Sequence, residues 1–409
     1  MAESGGVSMR RLLPLLALLA ALLPGNVRAS TLALHVSGSH FVDGSGNVVQ
    51  LRGSTRSGAE YACWHGNFED GPWDQTAVDA MAAWHFNVVR LPLDEACWLG
   101  INGLPAAGGE LHGSAAQYQQ DVHTYVQEIE RDGMYVILDN RDAAPGGAAP
   151  SLSAVMADAD HAPAFFASLA ASFRDDPAVL FDLYNEPNRL PGTDQQQMAC
   201  VRDGCAVTDP KLGSYQSAGE QSLLDAIRGA GASQVVLESS PSWSADPRYW
   251  TQYVVNDPLH QVAATVHPYD VSYWLHNPPQ WAAELGAILN AGYPVVATET
   301  GSHDCQSAWI DGFMTWADTA GVSYLPFGWQ PWGCTMPSLI SDWSGTPTPA
   351  YGMAVRVHLG TQVTPGPIVG GGVSQTRSGS TSTGSASTGA RANGLDASAN
   401  SPRWPLHLR

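Results

Sequence analysis

Short apolar runs alternate along this chain with longer stretches in which apolar residues recur at helical spacing. Each run is five to seven residues long and most are rich in β-branched or other apolar side chains, as is typical of strands buried on both faces. Because parallel strands need a long crossover between them, this alternation predicts a single α/β domain, the (β/α)8 TIM barrel. The predicted strands cover residues 48–53, 86–92, 134–139, 179–185, 234–238, 262–267, 294–299 and 323–329.

The stretches between these runs have the 3.6-residue period of amphipathic helices, most clearly at 76–84 and 116–131. Upstream of the first strand, residues 34–50 contain an Asp-Gly and a Gly-Asn pair, both of which favour tight turns. This segment is predicted to be an N-terminal β-hairpin that closes the floor of the barrel.

Both ends of the chain depart from this pattern. Two arginines precede an apolar core at 12–23, and small residues follow where a signal peptidase cleaves, so residues 1–29 are predicted to be a secretory signal peptide. A membrane anchor is the alternative, but it needs roughly 20 apolar residues and this core is shorter. Residues 364–409 are rich in Gly, Ser and Thr, which predicts a disordered, linker-like tail after a barrel domain at 30–363.

The net charge of −19 disfavours nucleic acid and anionic membranes and suits a neutral partner. Six cysteines in an exported chain predict disulfides. A zinc site is the alternative, although a Cys-x4-Cys spacing without a nearby second ligand pair fits it poorly. The predicted barrel places the cysteines after its first two strands, within one loop and after its last two strands, which predicts the pairs Cys63–Cys97, Cys200–Cys205 and Cys305–Cys334.

Two of the predicted strands lead into a glutamate, Glu186 just after 179–185 and Glu299 at the end of 294–299. The carboxyl ends of barrel strands are where this fold carries out chemistry. Cleaving a glycosidic bond needs one protonated carboxyl to donate to the leaving oxygen and one ionised carboxylate to attack or stabilise the anomeric carbon. Each glutamate alone could instead cap a following helix. Together, they predict a two-carboxylate glycoside hydrolase.

Five motifs that contain or surround these glutamates resemble those of glycoside hydrolase family 5, and they occur in that family's order. The likeness runs from about residue 51 to 359 and is closest to secreted actinobacterial cellulase-like members, which have similar segments at 56–63 and 97–103. The motifs are Val-Arg-Leu-Pro at 89–92, Asn-Glu-Pro at 185–187, His-Pro-Tyr at 267–269, Glu299 after its strand, and Gly-Trp at 328–329.

The resemblance implies that Glu186 is the acid/base and Glu299 the nucleophile. It also implies that the guanidinium of Arg90 contacts the nucleophile and keeps it ionised, whereas the alternative is a structural ion pair with a neighbouring acid. Asn185 is expected to bind the sugar 2-hydroxyl, a contact that tightens in the transition state.

Three further positions carry roles that the resemblance implies. His267 is expected to line the subsite of the cleaved sugar, and the phenol of Tyr269 is expected to donate a hydrogen bond to the nucleophile. Trp329, at the end of the eighth strand, is expected to stack its indole on the apolar face of a sugar.

Asp158, Asp160 and His161 could suggest a metal site, but they are more typical of a helix start.

One position departs from the family. The third strand usually ends in a Leu-Asp-x-His pattern, and here Arg141 stands at the histidine position, followed by Asp142. An added cation is expected to lower the pKa of a nearby catalytic carboxyl. Arg141 is therefore a further candidate substrate-binding residue that affects substrate choice and pH dependence.

These features together predict a secreted, extracellular, monomeric retaining β-glycoside hydrolase that needs no cofactor and no metal. Its partner is a β-linked polysaccharide or oligosaccharide, most naturally a β-1,4-glucan, so an endo-β-1,4-glucanase (cellulase) is expected. The alternatives within the family are a β-mannanase, a xyloglucanase or a β-1,3-glucanase. An alternative from another class is a catalytically weak carbohydrate-binding protein, in which the change at Arg141 and its neighbour Asp142 has disabled turnover while an aromatic cleft persists.

Overall fold

The computed structural model describes residues 1–2 and 32–361, and the predicted parallel barrel lies at its centre. Strands that follow one another along the chain are neighbours in the sheet, and every neighbouring pair is parallel. A parallel bridge between Arg52 and Tyr324 joins the two ends of the sheet and closes the barrel. The barrel strands, called first to eighth below, are Gly53–Thr55, Val88–Leu93, Tyr135–Asn140, Val179–Asp182, Val236–Glu238, Val262–Val266, Val295–Thr300 and Ser323–Pro326.

Helices connect the strands, and the two helices predicted from periodicity lie at Gln75–Ala82 and Ala115–Arg131. Each begins after a capping side chain, Asp74 or Ser114, that accepts a backbone N–H of the first turn. The other helices of eight or more residues among those described are Ala162–Phe173, Asp194–Asp203, Glu220–Gly229, Ala308–Ala320 and Tyr351–Thr361. Short helical segments lie at Ala59–Ala62, Cys63–His65, Glu95–Leu99, Pro241–Ser244, Trp250–Tyr253, Pro278–Gln280, Trp281–Leu285, Gly286–Asn290 and Gly333–Thr335.

Apolar side chains form two separate cores because successive residues of a strand point to opposite faces. In the second strand, Val89 packs outward among helix residues such as Val122, whereas Val88 packs inward. The inner core contains barrel residues such as Leu180 and Val296 together with residues of the N-terminal segment. The inner core therefore fills one end of the barrel.

The N-terminal segment covers the floor, as predicted, although it forms three strands and not a simple hairpin. Leu34–Ser37, His40–Asp43 and Val48–Val49 make an antiparallel sheet. Leu34 and Phe41 belong to the inner core and are 7% and 2% exposed.

The prediction that residues 48–53 form the first barrel strand was wrong in its position. Val48 and Val49 pair with the N-terminal sheet, and the barrel strand begins only at Gly53. A β-carbon at Gly53 would lie 1.7 Å from the carbonyl oxygen of Val88, so this position requires glycine. The chain thus changes sheets between Val49 and Gly53.

All three predicted disulfides are present, Cys63–Cys97, Cys200–Cys205 and Cys305–Cys334. The second of them precedes a feature that the sequence pattern did not predict, an antiparallel hairpin of Ala206–Asp209 and Gly213–Gln216. This hairpin lies between the fourth strand and the helix Glu220–Gly229.

Among the residues that the structure describes, no helix is both long and apolar enough to cross a membrane. The predicted signal peptide at 1–29 lies outside the described residues except for residues 1–2, and the predicted tail at 364–409 lies wholly outside them.

Candidate active site

Glu186 and Glu299 meet at the carboxyl end of the barrel. Glu299 lies within the seventh strand, and Glu186 follows the fourth strand by four residues. A carboxylate oxygen of Glu186 lies within 4.8 Å of one from Glu299. The structure therefore brings the two candidate catalytic groups together across the barrel opening.

Three cationic or hydroxyl side chains contact Glu299, which is 4% exposed. Nη1 of Arg90 donates to Oε1 of Glu299 at 3.0 Å, and Nη1 of Arg141 donates to the same oxygen at 3.4 Å. The phenol of Tyr269 donates to Oε2 at 3.0 Å. Burial alone would raise the pKa of Glu299, but His267 when it is protonated, Arg141, Arg90 and the Tyr269 hydroxyl outweigh it and lower that pKa.

Glu186 has a different environment. Its side chain is 19% exposed, and its Oε1 lies 3.0 Å from Nδ1 of His267. Nδ1 of His267 is also 3.9 Å from Oε2 of Glu299, so the imidazole lies between the two carboxyl groups. Glu299 faces two guanidinium groups, whereas Oε1 of Glu186 contacts a histidine.

Hydrogen bonds to its side chain and to its backbone hold Asn185 in place. Its Oδ1 accepts a hydrogen bond from Nη2 of Arg90 at 2.9 Å, and its backbone N–H donates to the carbonyl of Asn140 at 3.0 Å. The Ser244 hydroxyl donates to the carbonyl of Asn185 at 2.8 Å. Because the amide oxygen is occupied, the amide NH2 is the group that Asn185 can offer to a sugar hydroxyl.

Arg90 organises a buried cluster that the sequence analysis missed. Its guanidinium also lies 3.0 Å from Asp139 and 2.9 Å from Asp182, and all three side chains are 0% exposed. Burial raises the pKa of Asp139 to about 6, and raises that of Asp182 well above its usual range, although Arg90 opposes both shifts. The signal available in the sequence was an aspartate within each of two otherwise apolar runs, a costly placement without a buried cation.

Arg141 lies where the resemblance placed a histidine and points to the nucleophile. It follows the third strand, is 7% exposed, and its backbone N–H donates to Leu93 at 3.3 Å. Its neighbour Asp142 does not face the site: Oδ1 accepts the backbone N–H of Glu95 at 3.1 Å. The cation therefore acts on Glu299, while Asp142 belongs to the surrounding structure.

Trp329 is the one predicted site residue that the structure does not bring to the carboxylates. Its indole is 1% exposed and packs edge-on against Trp84 at 5.2 Å and Phe86 at 5.5 Å. A ring that is buried against two other rings has no open face for a sugar. The predicted stacking role of Trp329 was therefore wrong, because the chain turns this side chain into the outer core.

Among the described residues, three groups of side chains have the composition of metal ligands, and in one of them, with Asp94, the cysteines Cys63 and Cys97 are joined in a disulfide. Glu186, His267 and Glu299 offer ligand atoms within 4.8 Å of one another, but the guanidinium groups beside Glu299 disfavour a cation there. Asp158 accepts the backbone N–H groups of Asp160 and His161, immediately before the helix Ala162–Phe173. Asp158, which groups with Glu95 and His161, thus orders the turn that leads into this helix, whose N-cap residue His161 makes no side-chain capping bond.

Comparison with known proteins identifies the family that this chain matches. A family model described as "Cellulase (glycosyl hydrolase family 5)" matches residues 42–333, more than half of the chain. An endoglucanase of Microbulbifer sp. (strain ALW1) is 24% identical over 274 residues, which are 66% of this chain and 44% of that protein. An endoglucanase of Streptomyces lividans is 26% identical over 213 residues, 52% of this chain and 36% of that protein. The chain thus spans less than half the length of these two relatives.

Solved structures have a similar fold at low sequence identity. A β-glucanase of Saccharophagus degradans matches with a TM-score of 0.60 and 18% identity, over 80% of this chain and 93% of that one. The same β-glucanase is also known in complex with cellotetraose. A mannanase of Streptomyces sp. SirexAA-E matches with a TM-score of 0.56 and 17% identity, over 82% of this chain and 93% of that one.

Proposed function

The chain belongs to glycosyl hydrolase family 5, the cellulase family, and on that premise we propose that it is a retaining β-glycoside hydrolase acting on β-linked glucan. The observation that carries this proposal is the approach of Glu186 to Glu299, within 4.8 Å between carboxylate oxygens. Retaining enzymes hold their two carboxyl groups about 5–5.5 Å apart, whereas inverting enzymes need about 6.5–9.5 Å to admit a water molecule. The short separation supports direct attack by a carboxylate.

Glu299 is assigned as the nucleophile because its surroundings favour the ionised form. Arg90 and Arg141 both contact Oε1, and Tyr269 holds Oε2. In the first step a carboxylate oxygen of Glu299 bonds to the anomeric carbon, and the bond from that carbon to the leaving oxygen breaks. The charge on Glu299 is consumed as the glycosyl ester forms.

Glu186 is assigned as the acid/base because it is the more exposed carboxyl, at 19% against 5% for Glu299, and its Oε1 contacts the imidazole of His267. It donates its proton to the leaving oxygen in the first step. In the second step it removes a proton from the water that attacks the anomeric carbon and releases Glu299. Asn185, whose amide oxygen is fixed by Arg90, is placed to donate to the sugar 2-hydroxyl.

A β-1,4-glucan is proposed as the substrate for two reasons. The curated relatives named above are endoglucanases, and a β-glucanase with a similar fold is known in complex with cellotetraose. A β-mannan is the second candidate, favoured by the fold similarity to a mannanase. Both carboxyl groups and the side chains that contact them are present, which disfavours a carbohydrate-binding protein without catalytic activity. Export, with cleavage after residue 29 and a catalytic domain at 30–363, is proposed from the leader-like sequence and the three disulfides.

The test is reducing-sugar release from carboxymethyl cellulose, mixed-linkage glucan, xyloglucan, mannan and laminarin, with the anomer of the first product followed by proton NMR. We expect the fastest release from a β-1,4-glucan and a β-anomer formed first. A Glu186→Gln variant that purifies as a folded protein serves as the control for contaminating activity. An α-anomer formed first would exclude retention, and no release from any polymer would exclude the function.

A further inference from the structure

Two buried threonine hydroxyls lie behind the imidazole that contacts Glu186. Nε2 of His267 is 3.0 Å from the hydroxyl of Thr298, and the Thr298 hydroxyl is in hydrogen-bond contact with that of Thr265. Both threonines are 0% exposed, and His267 is 1% exposed. The result is a continuous chain of polar atoms from Thr265 through Thr298 and His267 to Oε1 of Glu186.

The direction of these hydrogen bonds follows from accounting for each hydrogen. Among the described residues, the hydroxyl of Thr265 has one hydrogen-bond partner, the hydroxyl of Thr298. If Thr298 donated to Thr265, the hydrogen of Thr265 would be buried without an acceptor, which costs more than a net hydrogen bond gains. Thr265 therefore donates to Thr298, and Thr298 in turn donates to Nε2 of His267.

This direction selects one tautomer of His267. A neutral imidazole has one nitrogen that donates and one that accepts. Because Nε2 accepts from Thr298, the hydrogen of the ring lies on Nδ1, which points at Oε1 of Glu186. Oε1 is thus an acceptor whether Glu186 is protonated or ionised.

We propose that Thr298, supported by Thr265, is a positioning residue that holds His267 in the Nδ1–H tautomer and so reserves Oε2 of Glu186 for the proton that is transferred. In the other tautomer, Nδ1 would accept a proton held on Oε1, and the acid would point away from the leaving oxygen. Oε1 is the oxygen that contacts His267 and the Glu186 side chain is 19% exposed, so the proposal assigns Oε2 to the substrate side. This inference rests on the proposed function, since it concerns how Glu186 donates its proton to the leaving oxygen.

The consequence is a dependence on the leaving group. A substrate with a poor leaving group, such as cellotetraose or phenyl β-cellobioside, needs the proton of Glu186 when its bond breaks. A 2,4-dinitrophenyl β-cellobioside has a leaving group stable enough as an anion to depart without it. Loss of the Thr298 hydroxyl should therefore affect the first kind of substrate and spare the second.

The experiment measures kcat/KM for the full chain on both kinds of substrate. Thr298→Val should lower kcat/KM about tenfold on cellotetraose and phenyl β-cellobioside, the effect of one lost hydrogen bond. It should lower kcat/KM less than about twofold on the dinitrophenyl substrate. Thr298→Ser, which keeps the hydroxyl, should restore the wild-type values, and Thr265→Val should give a smaller loss with the same leaving-group pattern.

Thr300→Val is the matched control, because Thr300 lies two residues away in the same strand and is also 0% exposed. Its hydroxyl donates to the carbonyl of Pro268 at 2.7 Å and does not contact His267. This variant should show no leaving-group dependence. An equal loss on both substrates in Thr298→Val would mean a structural role and would overturn the proposal.

A second measurement needs no variant and covers the case in which Thr298→Val fails to fold. Nitrogen-15 NMR of the wild-type imidazole should show a protonated Nδ1 and an unprotonated Nε2 for His267 at neutral pH. The reverse assignment would overturn the proposal even if the enzyme is active. A wild-type enzyme that cleaves neither polymer nor aryl glycoside would instead reject the proposed function itself.

Discussion

The two ends of the barrel are built from opposite kinds of side chain. At the amino end, Leu34 and Phe41 of the N-terminal sheet complete an inner core made of aliphatic and aromatic residues. At the carboxyl end, the guanidinium of Arg90 is buried among Glu299, Asp139 and Asp182. One end excludes water with apolar surface, and the other buries several ionisable groups in contact with one another.

This difference indicates a division of labour. Buried charges pay a desolvation penalty that their mutual attraction only partly offsets, so the carboxyl end contributes chemistry and little stability. Buried apolar area at the floor contributes free energy of folding and no reactive group. We therefore expect substitutions at the two ends to affect activity and stability separately.

The largest expected effect is on the reaction, at the carboxyl end. Glu299→Gln removes the proposed nucleophile while keeping nearly the same volume, so kcat/KM on β-glucan should fall by about 10⁴-fold or more. The circular dichroism spectrum should remain that of a folded barrel. A variant that retains a tenth of the wild-type activity would show that Glu299 does not form the covalent bond.

The largest expected effect on stability is at the floor. Phe41→Ala removes a ring that is 2% exposed and should lower the free energy of unfolding by about 3–5 kcal/mol, measured by urea denaturation. The kcat/KM of the folded fraction should not change. Val48→Ala in the same sheet is the control, since Val48 is 53% exposed and its loss should be small. A large fall in kcat/KM in Phe41→Ala would break the division between the two ends.

The sequence predicted the framework of both ends because framework and pattern share a physical cause. Strand period and helix period fix which residues face the core, and side chains at the carboxyl ends of parallel strands converge. Glu186, Glu299, Arg90, Asn185, His267, Tyr269 and Arg141 therefore lie together as expected. The three disulfides were predicted from the same framework, since each joins cysteines that follow neighbouring strands or lie in one loop.

The features that could not be predicted from the sequence depend on how the chain turns between its strands and helices. Trp329 lies just past the eighth strand, and the turn there directs its ring outward to Trp84. The first strand begins at Gly53, where the backbone lies too close to the carbonyl oxygen of Val88 to leave room for a side chain. Asp139 and Asp182 were not recognised, because their value depends on a distant cation, Arg90, that only the closed barrel brings to them.

A smaller effect is expected from the cation that replaces the family's histidine. Arg141 is one of the groups that lower the pKa of Glu299, so Arg141→Gln should raise that pKa. The nucleophile must be ionised, so the acidic limb of the kcat/KM profile should move to higher pH. On the plateau, the loss should be about tenfold or less, as for one long charged hydrogen bond.

Arg174→Gln is the control for this shift, since Arg174 pairs with Asp175 at the surface and its side chain is 57% exposed. Its acidic limb should match that of the wild type. An unmoved limb in Arg141→Gln would mean that Arg141 serves only the structure or the substrate.

The smallest expected effect concerns the C-terminal segment. Its Gly, Ser and Thr composition offers little apolar surface to bury, so truncation after residue 363 should leave Tm nearly unchanged. Thermal denaturation of the truncated and full-length chains measures this. A loss of several degrees would indicate a third stabilising region beyond the two ends of the barrel.

The central claim is that Glu299 attacks the sugar while Glu186 supplies the proton. The most direct test is to incubate the enzyme with 2,4-dinitrophenyl 2-deoxy-2-fluoro-β-cellobioside, which slows release of a covalent intermediate, and to map the label by peptide mass spectrometry. We expect one fluorocellobiosyl group attached to Glu299. A label on Glu186, or no covalent adduct from an enzyme that hydrolyses β-glucan, would contradict it.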